Sequence, residues 1–169
     1  MLTLTGPGGC GKTRFAQYVA SGLLRQFPDG VWFVDLAPLE CSESETPDGG
    51  VAAVAAALGL VRPARQSALD GLVQTLARRR LLLLLDNCEH IIEACARLSD
   101  SVLRARPRVR IMATSREPLH VDGEVAWPVP PLSVPSADAD VSVADVLESE
   151  AGRLFAERAR VARHAASDR

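Results

Sequence analysis

The sequence predicts an α/β protein: three layers, α/β/α, around a mostly parallel five-stranded sheet. Three observations lead there. Runs rich in β-formers alternate with stretches of helical periodicity along most of the chain, the pattern of βαβ units. The five leucines Leu81–Leu85, closed by Asp86, have the length and flanks of a central strand buried on both faces. Between a short β-rich run and a helical stretch lies Gly6-Pro7-Gly8-Gly9-Cys10-Gly11-Lys12-Thr13, which fits G-x-x-x-x-G-K-[ST], a loop whose backbone N–H groups curl around phosphate.

Each element follows in turn. Leu2–Thr5 reads as a strand running into the glycine loop. Phe15, Ala16, Val19, Ala20, Leu23 and Leu24 recur at helical spacing, giving a helix over about 12–25. Pro28-Asp29-Gly30 is a turn, and Val31–Leu36 is a second, mostly buried strand. The acidic, breaker-rich stretch Cys41–Gly50 is a loop. Helices follow over 51–58, ended by Gly59, and around Leu69, Leu72, Val73 and Leu76, the latter closing on Arg78-Arg79-Arg80, cations that complement the helix dipole. After the leucine strand, Ile91, Cys95, Leu98, Val102 and Ala105 share one helix face. Val109–Ala113 is a strand leading to Thr114-Ser115-Arg116, and a short strand over 124–129 precedes proline-rich sequence. Ser133–Ser142 reads as linker, and a last helix over about 146–162 turns Leu147, Ala151, Leu154 and Phe155 inward.

At 169 residues the chain suffices for one well-buried core. Aromatics make up only 4%, so Leu, Val, Ile and Ala must build it. A net charge of -2 gives no general attraction to nucleic acid or to an anionic membrane, so direct contact with neither is expected. The Arg104–Arg110 stretch reads as a solvated edge. No secretory signal opens the chain, and Leu81–Leu85 is far too short to span a bilayer. Cys10, Cys41, Cys88 and Cys95 form no C-x-x-C pair, which suits reduced thiols in the cytoplasm. Cys88, His90 and Cys95 match no usual zinc spacing.

Right-handed crossovers bring the C-terminal ends of parallel strands to one edge. The 6–13 loop, Asp86 and Arg116 all fall at such ends and should converge on one crevice. There a nucleoside triphosphate, ATP or ADP, and Mg²⁺ are expected. Lys12 is the only lysine among 19 basic residues, which marks a need for a point charge that guanidinium serves poorly. It would reach the β- and γ-phosphates, and Thr13 would ligate Mg²⁺. Asp86 fits the acid that holds the metal through its water shell. Asn87 stands where many such sites carry a second acid, and an amide cannot act as a base. Glu89, with His90 beside it, is the nearest group able to polarise water, though either could instead start the next helix. Arg116 could meet the γ-phosphate, or pair with Glu117 on the surface.

The strings Leu-Thr-Leu-Thr-Gly-Pro-Gly-Gly-Cys-Gly-Lys-Thr-Arg (2–14), Val-Trp-Phe-Val-Asp-Leu-Ala-Pro-Leu (31–39), Leu-Leu-Leu-Leu-Asp-Asn-Cys-Glu-His (82–90) and Ala-Thr-Ser-Arg-Glu-Pro-Leu (113–119) occur in order. Together they resemble the nucleotide-binding core of bacterial NB-ARC-type signalling ATPases of the STAND class, as in AfsR/SARP- and LuxR-type transcriptional regulators. The resemblance implies an ATP/ADP switch with slow hydrolysis. In it Lys12 and Thr13 are the Walker-A pair, within a binding loop taken here as Gly6–Arg14. Asp86 is the Walker-B acid and Arg116 the sensor arginine. It also implies further domains or protein partners of a regulator. Members of that class begin with a Gly-Arg-Glu type segment and continue into a helical subdomain and a winged helix, none readable here. The expected organisation is therefore a nucleotide-binding core over 1–132, a linker over 133–145 and a helix over 146–169 leading toward that subdomain, as in the isolated core of something larger. Two other functions stay open: a truncated or non-catalytic remnant acting as an interaction domain, and a small-molecule P-loop kinase. The acidic 41–50 loop suits a kinase's phosphate lid poorly.

Overall fold

The structure is a computed structural model, and it describes residues 1–39, 49–60, 67–76, 78–105, 108–135 and 142–167. The 41–50 loop and most of the 133–142 linker therefore lie largely outside the described residues. Five strands, β1 (Leu2–Thr5), β2 (Val31–Asp35), β3 (Leu82–Asp86), β4 (Arg110–Ser115) and β5 (Val125–Pro128), form one sheet in the order β2-β3-β4-β1-β5. Every pairing is parallel. Two compact units divide at Val129 and Pro130.

β3 shows why the leucine run folds as it does. Side chains alternate across a strand, and here both faces are covered. Leu83 and Leu85 join the core formed with α2 (Gly49–Ala57), α3 (Ala68–Leu76) and α4 (Ile92–Ala105). Leu82 and Leu84 instead pack under α1 (Lys12–Gly22) with Leu4 and Met112. Each buried leucine contributes roughly 1.5–3 kcal/mol. α1 meets the sheet through Ala16 and Ala20, small side chains that let its backbone come close.

α4 buries Ala94, Cys95, Leu98 and Val102, at helical spacing, as the periodicity requires. Cys88 is also buried, and its thiol is held well above its ordinary pKa by hydrogen bonding with Cys95 and by burial.

Several expectations need correction. The first helix ends at Gly22 rather than Arg25, followed by a 3₁₀ turn over Leu24–Gln26, and Phe15 and Leu24 are exposed because α1 buries only a narrow alanine stripe. β2 is an edge strand with only Val34 buried and Phe33 exposed. β4 runs on through Thr114 and Ser115, because its pairing with β1 continues to Thr5↔Ser115.

Among the described residues the second unit holds two helices, α5 (Val143–Glu148) and α6 (Glu150–Ser167), where one was expected. Ser149 is extended (φ -74°, ψ 150°) and breaks them. Ser142 and Asp145 form a capping box at the start of α5. Leu147, Leu154 and Phe155 are exposed rather than turned inward, since a unit this small offers little to bury them against. Among the described residues no helix is long and apolar enough to cross a membrane.

Candidate nucleotide site

The site is built where β1 ends. Gly6 has φ 147°, and a Cβ there would stand 2.9 Å from the Val129 carbonyl oxygen and 3.1 Å from Cys10 Sγ, so the backbone passes where no side chain fits. Gly11 (φ 90°) turns the chain into α1 in the left-handed conformation. α1 starts without a side-chain cap and without an acidic residue in its first turn. Its leading N–H groups are thus left to an anion, with the positive end of the helix dipole behind them.

Lys12 is only 8% exposed. Its ammonium donates to the carbonyl oxygens of Gly6 (2.8 Å) and Pro7 (2.9 Å), partners without formal charge. A nearly buried cation on neutral acceptors, beside uncapped amides, suits a phosphate chain.

Opposite lies Asp86, 3% exposed. Thr13 Oγ1 donates to its Oδ1 at 2.8 Å, and Thr114 Oγ1 donates to the same oxygen at 2.5 Å. Asn87 Nδ2 donates to Oδ2 at 3.2 Å. These donors are hydroxyls and an amide, so among the described residues no cation pairs with this buried carboxylate. A carboxylate so placed, next to a threonine hydroxyl, fits a divalent cation bound by oxygen ligands. Thr13 and Asp86 are the residues that would hold it.

Asn87 is itself left-handed (φ 61°). Its backbone N–H donates to Thr114 Oγ1 at 3.0 Å, and its amide also donates to Asp35 Oδ1 at 3.2 Å. Asp35 sits beside Asp86 in the β2–β3 register. The turn at Asn87 leads into a 3₁₀ turn, Cys88–His90, that carries Glu89. Glu89 Oε1 lies 3.4 Å from Arg116 Nε. The guanidinium of Arg116 also reaches the loop, 3.9 Å from where a Cβ on Gly8 would be.

The structure thus brings together Gly6, Pro7, Gly8, Cys10, Gly11, Lys12, Thr13, Asp86, Glu89 and Arg116, all singled out in the sequence. Gly9 is exposed on the loop, and Arg14 is exposed on the first turn of α1. His90 is exposed and Glu117 takes no part in the Arg116 pair; its backbone N–H instead meets Ser115 Oγ at 3.4 Å. Thr114 and Asp35 were missed. Both stand at strand C-terminal ends, and that position is the signal that could have found them.

A family model described as an AAA domain matches residues 1–114. A Mycobacterium tuberculosis protein named as an HTH-type transcriptional regulator is 43% identical over 160 residues, covering 94% of this chain and 16% of the relative. The regulatory protein AfsR of Streptomyces griseus is 39% identical over 88 residues, covering 50% of this chain and 9% of AfsR. The chain therefore spans a small part of these relatives. Among solved structures, the crystal structure of Cdc6p from Pyrobaculum aerophilum aligns with a TM-score of 0.53 at 17% identity. It covers 95% of this chain and 42% of that one, a likeness of fold.

Proposed function

This chain belongs to the AAA-domain family, and from that premise we propose that it is the ATP/ADP-binding switch module of a transcriptional regulator, with slow ATP hydrolysis. One observation carries the proposal. The Thr13 hydroxyl at the head of α1 and the buried Asp86 carboxylate meet at 2.8 Å, with Lys12 next in sequence on the phosphate loop. That is the residue set a Mg·nucleotide requires.

In this reading Gly6–Arg14 forms the binding loop, Lys12 neutralises the β- and γ-phosphates, and Thr13 and Asp86 hold Mg²⁺. Bound Mg²⁺ would offset charge on the phosphate oxygens. Glu89 would take the proton of the attacking water as the water oxygen bonds to the γ-phosphorus and the bond to ADP breaks. Arg116 would sense the terminal phosphate. The switch character, membership of the NB-ARC/STAND class and a cytoplasmic location rest on the sequence strings and on relatives named as transcriptional regulators. Other domains or protein partners of the regulator would read the switch.

A non-catalytic nucleotide-binding interaction domain is the second reading, favoured by Asn87 in place of a second acid. Titration with fluorescent ATP and ADP, with and without Mg²⁺, tests the binding, and single-turnover hydrolysis tests the chemistry. The expected result is measurable affinity, reduced at least about tenfold in Lys12→Ala, with very slow turnover lost in Glu89→Gln. Unchanged affinity in Lys12→Ala would remove the site assignment. Binding without any turnover would favour the second reading.

A further inference from the structure

The two halves of the Glu89–Arg116 pair live in different surroundings. The Arg116 side chain is 65% exposed, whereas that of Glu89 is 14% exposed. Glu89 Oε2 is buried and, among the described residues, has no hydrogen-bond partner. A carboxylate drawn out of water with one oxygen unmatched depends on its cation.

Glu89 is put there by the local chain. The left-handed Asn87 turns the backbone at the end of β3, and its N–H is fixed by Thr114. The Cys88 thiol then points back to the Leu85 carbonyl oxygen (3.6 Å), leaving Glu89 facing β4's terminal loop. Arg116 is the first residue after β4, and its guanidinium borders both Glu89 and the phosphate loop at Gly8. One exposed cation therefore lies between a carboxylate and the phosphate loop.

The geometry points to Glu89 and Arg116 as a latch: Glu89 competes with the terminal phosphate of a nucleoside triphosphate for Arg116, and so sets the preference between tri- and diphosphate. This rests on the nucleotide-switch proposal and adds a specificity role for Glu89 to its role with water. A diphosphate leaves the pair intact. A triphosphate that draws Arg116 fully onto its terminal phosphate does so at the expense of the pair, and the same exchange frees the carboxylate. The pair is partly exposed, so its competition is modest.

The test is a double-mutant cycle on Mg²⁺-dependent binding, using ADP and a non-hydrolysable fluorescent ATP analogue. Four proteins are compared: the parent, Glu89→Gln, Arg116→Ala and the double variant. Glu89→Gln should raise the triphosphate-to-diphosphate affinity ratio about two- to fivefold, the scale of a partly exposed ion pair. Arg116→Ala should lower that ratio, and adding Glu89→Gln to it should change nothing further. A ratio unmoved by Glu89→Gln overturns the latch. So does an equal rise in the Arg116→Ala background, because that is direct repulsion between Glu89 and phosphate. A parent that binds neither nucleotide overturns the underlying switch proposal, and the latch with it.

Discussion

Thr114 Oγ1 donates a hydrogen bond to Asp86 Oδ1 at 2.5 Å and accepts one from the Asn87 N–H at 3.0 Å, so one side chain holds both the acid and the turn that follows it. The β3–β4 register brings it there: Leu85 pairs with Ala113, and the next residue on each strand is Asp86 and Thr114.

Thr114→Val should therefore cost about 1–3 kcal/mol in urea unfolding, since it leaves a buried carboxylate and an amide each short of a partner. Mg²⁺-dependent nucleotide affinity should fall with it, and Thr114→Ser should stay near the parent. Parent-like stability and Mg²⁺ dependence in the valine variant would mean that the hydroxyl positions nothing.

Gly6→Ala should destabilise the protein by about 1–3 kcal/mol and weaken nucleotide binding. Its Cβ would meet backbone, the Val129 carbonyl, at 2.9 Å, and φ 147° is unfavourable for a side chain. Thermal unfolding and nucleotide titration of the same sample check both effects. An alanine variant equal to the parent in both would contradict the close passage of the loop over Val129.

The pH dependence should carry a mark of Glu124. Burial pushes its carboxyl upward, but the N–H groups of Leu119 (2.9 Å) and His120 (2.8 Å) donate to it, and the net shift is downward. A lowered folded-state pKa means that the carboxylate's contribution is complete above the ordinary value of 4.5 and is lost as pH falls through the folded value. Glu124→Gln should be less stable than the parent at pH 7, with the gap closing below about pH 4. A gap that stays constant from pH 7 to 3 would exclude ionisation as its source.

Gly152→Ala should loosen the second unit. A Cβ at Gly152 would collide with the Val146 carbonyl oxygen and stand 2.9 Å from Ser149 Oγ, so α5 and α6 cannot keep their junction. Amide hydrogen exchange over residues 142–167 is the readout, and faster exchange there is expected. Unchanged protection would show that the junction tolerates the methyl group.

Much of the fold was legible because its strongest signals are local. The leucine run needs no partner to be recognised as doubly buried, and the glycine loop fixes the strand before it and the helix after it. What the sequence hid depends on neighbours. Val31–Val34 has a buried strand's composition, yet β2 lies at an edge, and strand order is written in no single strand. Phe155 sits on a periodic apolar stripe whose cover the stripe cannot specify. Thr114 looks like a residue that opens a turn, and only the pairing of β4 reveals that it faces Asp86. Glu89 and Arg116 were each visible, whereas their ion pair needed the left-handed Asn87 to form.

Because the ammonium of Lys12 rests on the carbonyls of Gly6 and Pro7, the strand-to-helix bend is braced from within by the same group that would greet an incoming anion. Capture would then exchange neutral partners for charged ones on a scaffold already in shape, with little chain entropy lost in the event. It follows that replacing this lysine removes a brace as well as a charge. Its effect on binding should be read beside a measurement of how well the unliganded loop keeps its form.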